Sequence, residues 1–337
     1  MPNQPKDPLG STLSLPLKFH HSLQDRAYLL ETHPVRERRY RIPTIALDRV
    51  YAIVRERVWT CRTGTFFYGT PRTGKSTALT DIHERLDEEF PRVYINRVNA
   101  RSSGRPSMAH IYRLILESRD HVLSSRKDPD LLYNNLLTDT LMGVGSRQGS
   151  QFVLLIDEMQ LLNTTDIQQL LVLHNGLEQK KIKMSTMSFA QPEIMHRRSA
   201  MITAKERQLI ARFLNEPIVF EGCGTIEELR HILKVYDMGS EFPEGSGWSY
   251  TEFFLPEAFK HGFRLENYVE KIWNALSMAA SALEDGRIPM EHLSMTIENC
   301  LLAAFKDDAP NFTLSAQDIN AAVQGANLEL FGALMQS

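Results

Sequence analysis

Cysteine is scarce in this chain of 337 residues, and Cys61, Cys223 and Cys300 are widely spaced and odd in number. That excludes a disulfide framework, offers no zinc-site spacing, and suits a reducing compartment. No run of about 18 apolar residues occurs and no signal-peptide pattern opens the chain, so it reads as soluble and intracellular, without a membrane partner. Charge of one sign is also missing, since the net charge is only -3. Any contact to nucleic acid must then come from local clusters, such as a channel lining. No internal repeat is evident. With 42% hydrophobic residues the chain can bury a substantial core in one large or two modest domains.

What is present is concentrated in two strings. Gly69-Thr70-Pro71-Arg72-Thr73-Gly74-Lys75-Ser76 fills every fixed position of G-x-x-x-x-G-K-[ST]. Thr65-Phe66-Phe67-Tyr68 reads as a buried strand entering it, and Ser76-Thr77-Ala78-Leu79 opens a segment with helical apolar spacing through Ile82 and Leu86. Strand, glycine-rich loop and helix together make a phosphate cradle. The glycines let backbone N–H groups point at phosphate oxygens, and the helix N-terminus adds a favourable dipole. Gly69 through Thr77 is the expected ATP-binding loop, with Lys75 reaching the terminal phosphates and Ser76 ligating Mg2+.

The second string is Gln151-Phe152-Val153-Leu154-Leu155-Ile156-Asp157-Glu158. A continuous apolar run ending in two acids is how a buried parallel strand delivers carboxylates to the C-terminal edge of a sheet. Asp157 is expected to hold Mg2+ through water, and Glu158 to polarise the water that attacks the γ-phosphate. The spacing from the loop, about 80 residues, accommodates a strand and helices between the two. A GTPase is excluded, because Asp157 is followed by Glu158-Met159-Gln160 instead of Asp-x-x-Gly, and no Asn-Lys-x-Asp string occurs. Asp-Glu-Met-Gln resembles a motif of superfamily one helicases, but too few residues follow for a second RecA-like domain. No ABC-type signature and no additional acidic nuclease cluster are evident. The next strand, Met184 to Phe189, should end beside the γ-phosphate, which makes Gln191 the first choice for a sensor and Ser188 the second. His174, on the apolar face of a helix from Asp166 to Gln179, reads as a hydrogen-bonded core histidine.

Elsewhere the sequence predicts an extended arm over the first 35 or so residues, with Pro2, Pro5, Pro8, Gly10 and Pro16 and a short helix near Ser22 to Leu30. Arg36-Glu37-Arg38-Arg39-Tyr40-Arg41 is either a solvated charge run or a phosphate contact, to nucleic acid or to a neighbouring subunit's nucleotide. Ile42-Pro43-Thr44 precedes a helix with Leu47, Val50, Ile53 and Val54 on one face, suitably apolar to cover an adenine. Arg92 to Val98 reads as a strand, and Asn99 to Pro106 as a loop. Arg97, Arg101 and Arg105 recur every four residues among small residues, so several guanidinium groups can reach one polyanion. A helix carrying Leu131 to Leu141 should end at Gly143 and Gly145. Helices are further expected at about Thr225 to Asp237, Leu265 to Leu283, Glu291 to Phe305 and Ser315 to Leu334. Gly239 to Tyr250 reads as a lid insertion. The terminal Leu328, Leu330, Phe331, Leu334 and Met335 either complete the lid or dock on a partner.

Taken together, Gly69 to Ser76, the strand ending Asp157-Glu158, Leu173-His174-Asn175, Ala190-Gln191-Pro192-Glu193 and Gln208-Leu209-Ile210-Ala211-Arg212-Phe213 resemble the TnsC/TniB family of AAA+ ATPases that regulate transposition. The similarity runs from roughly Ile42 to Leu276. Ala190 departs from it where the family often has Gly. The resemblance implies an α/β AAA+ P-loop NTPase: a three-layer parallel sheet over 42–221, an all-helical lid over 222–337, and an N-terminal extension over 1–41. It implies slow hydrolysis of ATP with Mg2+, with Glu158, Gln191, Arg212 and Arg264 as catalytic groups. Arg212 is similar in placement to the finger that enters a neighbour's site, with Arg207, Arg197 and Arg198 competing, and Gly262-Phe263-Arg264-Leu265 resembles a second sensor acting in cis. It further implies an ATP-dependent helical filament or heptameric ring on double-stranded DNA, contacted through Arg97, Arg101 and Arg105. The implied partners are a TniQ- or TnsD-like targeting protein and TnsA/TnsB-like transposase subunits, in the bacterial cytoplasm at the nucleoid.

Overall fold

The computed structural model describes residues 23–126 and 128–336, so the proline-containing start of the expected arm lies outside the described residues. Elements in chain order are α1 (Leu23–Leu30), α2 (Pro34–Glu37), α3 (Ile45–Trp59), β1 (Thr65–Tyr68), α4 (Lys75–Glu89) and β2 (Val93–Asn99). Next come α5 (His110–Glu117), α6 (Pro129–Ser146), β3 (Gln151–Asp157), α7 (Thr164–Gln179), β4 (Lys183–Ala190), α8 (Ile194–Thr203), α9 (Arg207–Phe213) and β5 (Glu216–Val219). Helices follow: α10 (Ile226–Met238), α11 (Tyr250–Phe254), α12 (Pro256–Lys260), α13 (Val269–Ala279), α14 (Met290–Ala304), α15 (Ala316–Gly325) and α16 (Leu328–Gln336).

All five strands run parallel, in the order β2-β3-β4-β1-β5. Crossover connections cover both faces with helices, so the interior strand β3 has no polar face to spare and all seven of its residues are buried. Its side chains alternate between two cores. Phe152, Leu154 and Ile156 join α5, α6, α7 and α9, whereas Val153 and Leu155 join α3 and α4. The adjacency of β3, β4 and β1 matters most for function, because it sets the ends of three consecutive strands side by side at one edge. Among the described residues, no helix is long and apolar enough to cross a membrane.

A third core belongs to the C-terminal helices, and the N-terminal segment is built into it: Val35 and Ile42 sit among Leu229, Phe253, Leu276 and Leu301. Arg26 donates to Phe253 O and Phe254 O at 3.1 Å each and lies 3.5 Å from Asp308. From Leu23 onward, then, the expected arm is a pair of helices pinned to the lid. Trp248 and Tyr250 are buried there too. Some helix ends differ from expectation. Helix α6 runs through Gly143 and Gly145 to Ser146, and a Cβ on Gly143 would stand 2.4 Å from the Tyr94 ring, so this glycine serves close packing and not termination. The helix expected over Leu265–Leu283 is α13 flanked by short 3-10 turns. The last expected helix is two, broken where Asn327 turns left-handed with φ 56°.

His33 links this packing to pH. Its ring is fully buried against Phe242, Tyr250, Phe253 and Phe254, and its Nδ1 accepts the Val35 N–H at 3.1 Å. Burial pushes its pKa from 6.5 down to about 3. A histidine depressed in the fold binds its proton mainly when unfolded, so the stability it contributes is complete above pH 6.5 and drains away as pH falls toward 3, with a limiting slope of about 1.4 kcal/mol per pH unit. His33→Asn keeps an acceptor for the Val35 N–H but cannot titrate. Melting temperatures between pH 7.5 and 4.5 should fall less steeply for the variant than for the wild type, and parallel curves would refute the assignment.

Candidate functional site

The loop between β1 and α4 is shaped by contacts that only its own residues permit. A Cβ on Gly69 would meet Phe220 O at 2.0 Å, so the chain leaving β5 presses directly on the loop. Gly74 starts α4 from a left-handed φ of 98° and supplies no side-chain cap, which leaves the first N–H groups of the helix without a side-chain partner. Thr73 Oγ1 donates to Thr70 O at 2.9 Å, closing the loop on itself. Lys75 is buried, and its Nζ donates to Gly69 O and Thr70 O at 2.7 Å each. Burial lowers its pKa, against the opposing pull of Glu158, Asp157 and Glu193. An ammonium parked on the carbonyls of its own loop, beside an uncapped helix N-terminus, fits a polyphosphate ligand. Ser76 and Asp157 would hold the Mg2+ that accompanies it.

Opposite the loop stands the acidic edge. Asp157 is buried at the end of β3, and its Oδ1 accepts the Glu158 N–H at 3.1 Å. Glu158 adopts a left-handed φ of 54°, a cost tolerated where the surroundings fix the residue. Its Oε2 accepts from Gln191 Nε2 at 3.1 Å and from Gln160 Nε2. Gln160 Oε1 in turn accepts the Gln191 N–H at 2.9 Å, so the two glutamines and the glutamate form one network. Sequence reasoning named Glu158 and Gln191 but missed Gln160, whose one signal is a polar residue inside the apolar run Met159-Gln160-Leu161-Leu162. Ser188, the alternative sensor, is fully buried within β4 and does not line the cavity.

The cavity enclosed by these parts measures about 500 Å3. The loop and Ser76, Thr77, Glu158 and Gln191 line it, together with an apolar wall of Ile42, Leu47, Phe220 and Ile232. Burial pushes the Cys223 thiol on this wall up to about 12, so it stays neutral. The roof is α14, a contribution not visible in the sequence: Glu291 N donates to Arg72 O at 3.1 Å and the Glu291 carboxylate pairs with Arg72 at 2.9 Å. Arg264, expected to reach into this space from the lid, does not line it. Its Nη1 donates to Phe259 O and Phe263 O at 2.8 and 2.5 Å, and its guanidinium lies over the Phe259 ring. Two main-chain acceptors and a ring face satisfy the guanidinium within its own turn.

The remaining arginines separate into groups. Arg212 closes α9 away from the cavity, and its buried Nε has no hydrogen-bond partner among the described residues. Arg197 donates to Leu162 O and Arg198 to Leu214 O, so both are engaged by the chain's own backbone, while Arg207 is exposed. Arg97 donates to Thr80 Oγ1 and joins Arg38, Arg39 and Arg41 around a shallower depression beside Ser76 and Thr77. Arg101 and Arg105 do not line that depression. Both are exposed, and Arg101 pairs with Glu117 at 2.6 Å. The expected trio of Arg97, Arg101 and Arg105 is thus divided between the wall of α4 and the loop after β2.

The AAA domain family profile matches residues 62–197, which spans the loop, the acidic edge and Gln191. No curated protein matches the sequence. Among solved structures, the ORC2 protein of Aeropyrum pernix in ADPNP-ADP complexes is similar with a TM-score of 0.60 at 14% identity, over 87% of this chain and 71% of that one. The ADP form of the same protein gives 0.54 at 16% identity, over 86% and 70%. At such identities the likeness concerns the fold. The strand order, the loop between β1 and α4 and the acids after β3 give the chain an AAA+ P-loop NTPase fold, within which residues 62–197 match the AAA domain profile.

Proposed function

We propose that the protein is a slow, regulatory ATPase that assembles on duplex DNA and controls transposition, connecting a target-selecting protein to a transposase. The observation that carries the ATPase is Gln191 standing 3.1 Å from Glu158 on the wall facing Lys75 and the uncapped start of α4. In the reaction, water attacks the γ-phosphorus, Glu158 takes its proton, and the bond to the β–γ bridging oxygen breaks with its electron pair leaving on ADP. Gln191 and Gln160 fix the direction of the Glu158 carboxylate. Lys75 exchanges its loop carbonyls for phosphate oxygens and neutralises charge as it builds on the leaving group. Ser76 and Asp157 would hold a Mg2+ ion, which would supply further charge neutralisation. Arg212, which does not line its own cavity, suits entry into a neighbour's site, which would make hydrolysis depend on assembly.

The transposition part of the reading is supported by the resemblance of the Gln191-Pro192-Glu193 and Ala211-Arg212-Phe213 strings to the TnsC/TniB family. The exposed Arg101 and Arg105 are suited to phosphate contact, as is the arginine-lined depression holding Arg97. A replication-initiator reading shares the core and is favoured by the likeness to the Aeropyrum pernix ORC2 structures, which carry ADPNP and ADP. Electron microscopy with a non-hydrolysable ATP analogue, with and without duplex, tests both readings. Filaments or rings that require both ligands support transposition control, and closed oligomers indifferent to duplex argue against it.

Removing the Lys75 ammonium deletes charge-assisted bonds, so Lys75→Ala should weaken ATP binding at least about tenfold by calorimetry. Glu158→Gln should bind ATP normally and lose turnover, holding the DNA-bound assembly in place. Disassembly of this variant at the wild-type rate would remove Glu158 from the role of base. Arg101→Ala and Arg105→Ala should weaken DNA binding alike across sequences, each lowering the slope of log K against log salt by about 1. An unchanged slope would take that loop out of the interface.

A further inference from the structure

We propose that Gln160 is a positioning residue for hydrolysis: its amide closes a chain of hydrogen bonds that holds the base Glu158 in register with the phosphate loop. The inference rests on the ATP reading of the cavity and deepens it, because it ties the base to the very loop that holds the substrate. The chain is continuous. Lys75 Nζ donates to Gly69 O at 2.7 Å, and the Gly69 N–H donates to Ala190 O at 3.3 Å. The carbonyl and N–H of a trans peptide point in opposite directions. The unit joining Ala190 to Gln191 therefore faces the loop on one side, and on the other its N–H donates to Gln160 Oε1 at 2.9 Å. Gln160 Nε2 then donates to Glu158 Oε2.

Each link is fixed by chemistry or by burial. A main-chain N–H can only donate, so the Gln191 N–H requires the oxygen of the Gln160 amide and leaves its nitrogen for the Glu158 carboxylate. Gln160 sits on the 3-10 turn Met159–Leu161 that follows Glu158 directly, and it is only 7% exposed. A buried amide with both ends paired stays in place, since breaking either bond strands a desolvated group. Gln191 is differently situated. Its side chain also donates to Glu158 Oε2, at 3.1 Å, yet it lines the cavity, whereas Gln160 does not. A phosphate in the cavity therefore competes for the Gln191 amide and leaves the Gln160 bond untouched. Alignment of the base during turnover falls to Gln160. Misplacing a reacting group by about 1 Å costs on the order of a hundredfold in rate, which is the scale on which loss of such a bond is felt.

The test compares two variants. Gln160→Glu keeps an acceptor for the Gln191 N–H but sets a carboxylate against Glu158, and Gln160→Met fills the space with neither donor nor acceptor. At saturating ATP with duplex present, both should lose at least about tenfold in kcat, while the Kd of a non-hydrolysable ATP analogue changes by less than about twofold. Turnover within about twofold of wild type in both overturns the proposal, since Gln191 alone then aligns the base. Affinity falling as far as turnover also overturns it, assigning Gln160 to the shape of the binding site. A second measurement needs no nucleotide. Tyr68-Gly69 is the only Tyr-Gly pair in the sequence, so isotopic labelling of tyrosine carbonyl carbons and glycine nitrogens isolates the Gly69 amide signal by NMR. Gln160→Met should shift that signal, and a Gly69 amide left unmoved overturns the link to the loop. Wild-type protein that neither binds nor hydrolyses ATP instead defeats the ATP reading of the cavity, and the Gly69 signal still decides the link.

Discussion

Three parallel strands that end side by side are the constraint on which the rest of the molecule depends. Because β4 pairs with both β3 and β1, the acids after β3, the glutamine after β4 and the phosphate loop after β1 are brought to one edge without any long side chain having to reach. Parallel pairing requires crossover helices on both faces, and these bury the strands fully. Burial in turn explains the sequence, since β3 reads as an unbroken apolar run until the position at which it leaves the sheet. The polar groups at that edge sit where the dielectric is low, so each must be paired or aimed at a ligand.

The lid is joined to this edge by polar ties of unequal strength. Arg26 is buried and Tyr40 half-buried, and they bind the N-terminal segment to α10, α11 and α14 through main-chain carbonyls, Tyr236 and Glu298. Breaking such contacts strands a desolvated group, so N-terminal segment and lid behave as one unit. The side-chain pair between the phosphate loop and the lid, Arg72 with Glu291, is about half exposed on both sides and contributes little. The molecule is therefore stiff within the lid and loosely latched across the cavity.

How much of this was legible in the sequence follows from how local each feature is. The loop from Gly69 to Ser76 and the run into Asp157-Glu158 were legible because eight consecutive residues determine each. The apolar cover from Ile42 to Leu47 was legible for the same reason. Gln160 was not, because its partners are Glu158 and Gln191, and the second of these arrives only when β4 docks. The division of Arg97 from Arg101 and Arg105 was hidden because a spacing of four does not reveal that Arg97, still inside β2, turns toward Thr80. Arg264 was expected in the cavity from a short string, yet the acceptors that hold it, Phe259 O and Phe263 O, belong to a turn whose shape the string does not encode. The roof formed by α14 depends on contacts more than 200 residues apart in sequence.

Three of the side chains that would meet a nucleotide are paired within the protein. Lys75 is on loop carbonyls, Arg72 on Glu291, and the Glu158 carboxylate on Gln191 and Gln160. On the proposed reading, binding is then an exchange of partners, and its net strength is the difference between phosphate and the internal partner lost. That difference is large for Lys75, since two neutral carbonyls are replaced by charged oxygens at an uncapped helix start. It is small for the latch, which is solvated before and after. On the proposed reading, nucleotide affinity should thus be set mainly in the loop.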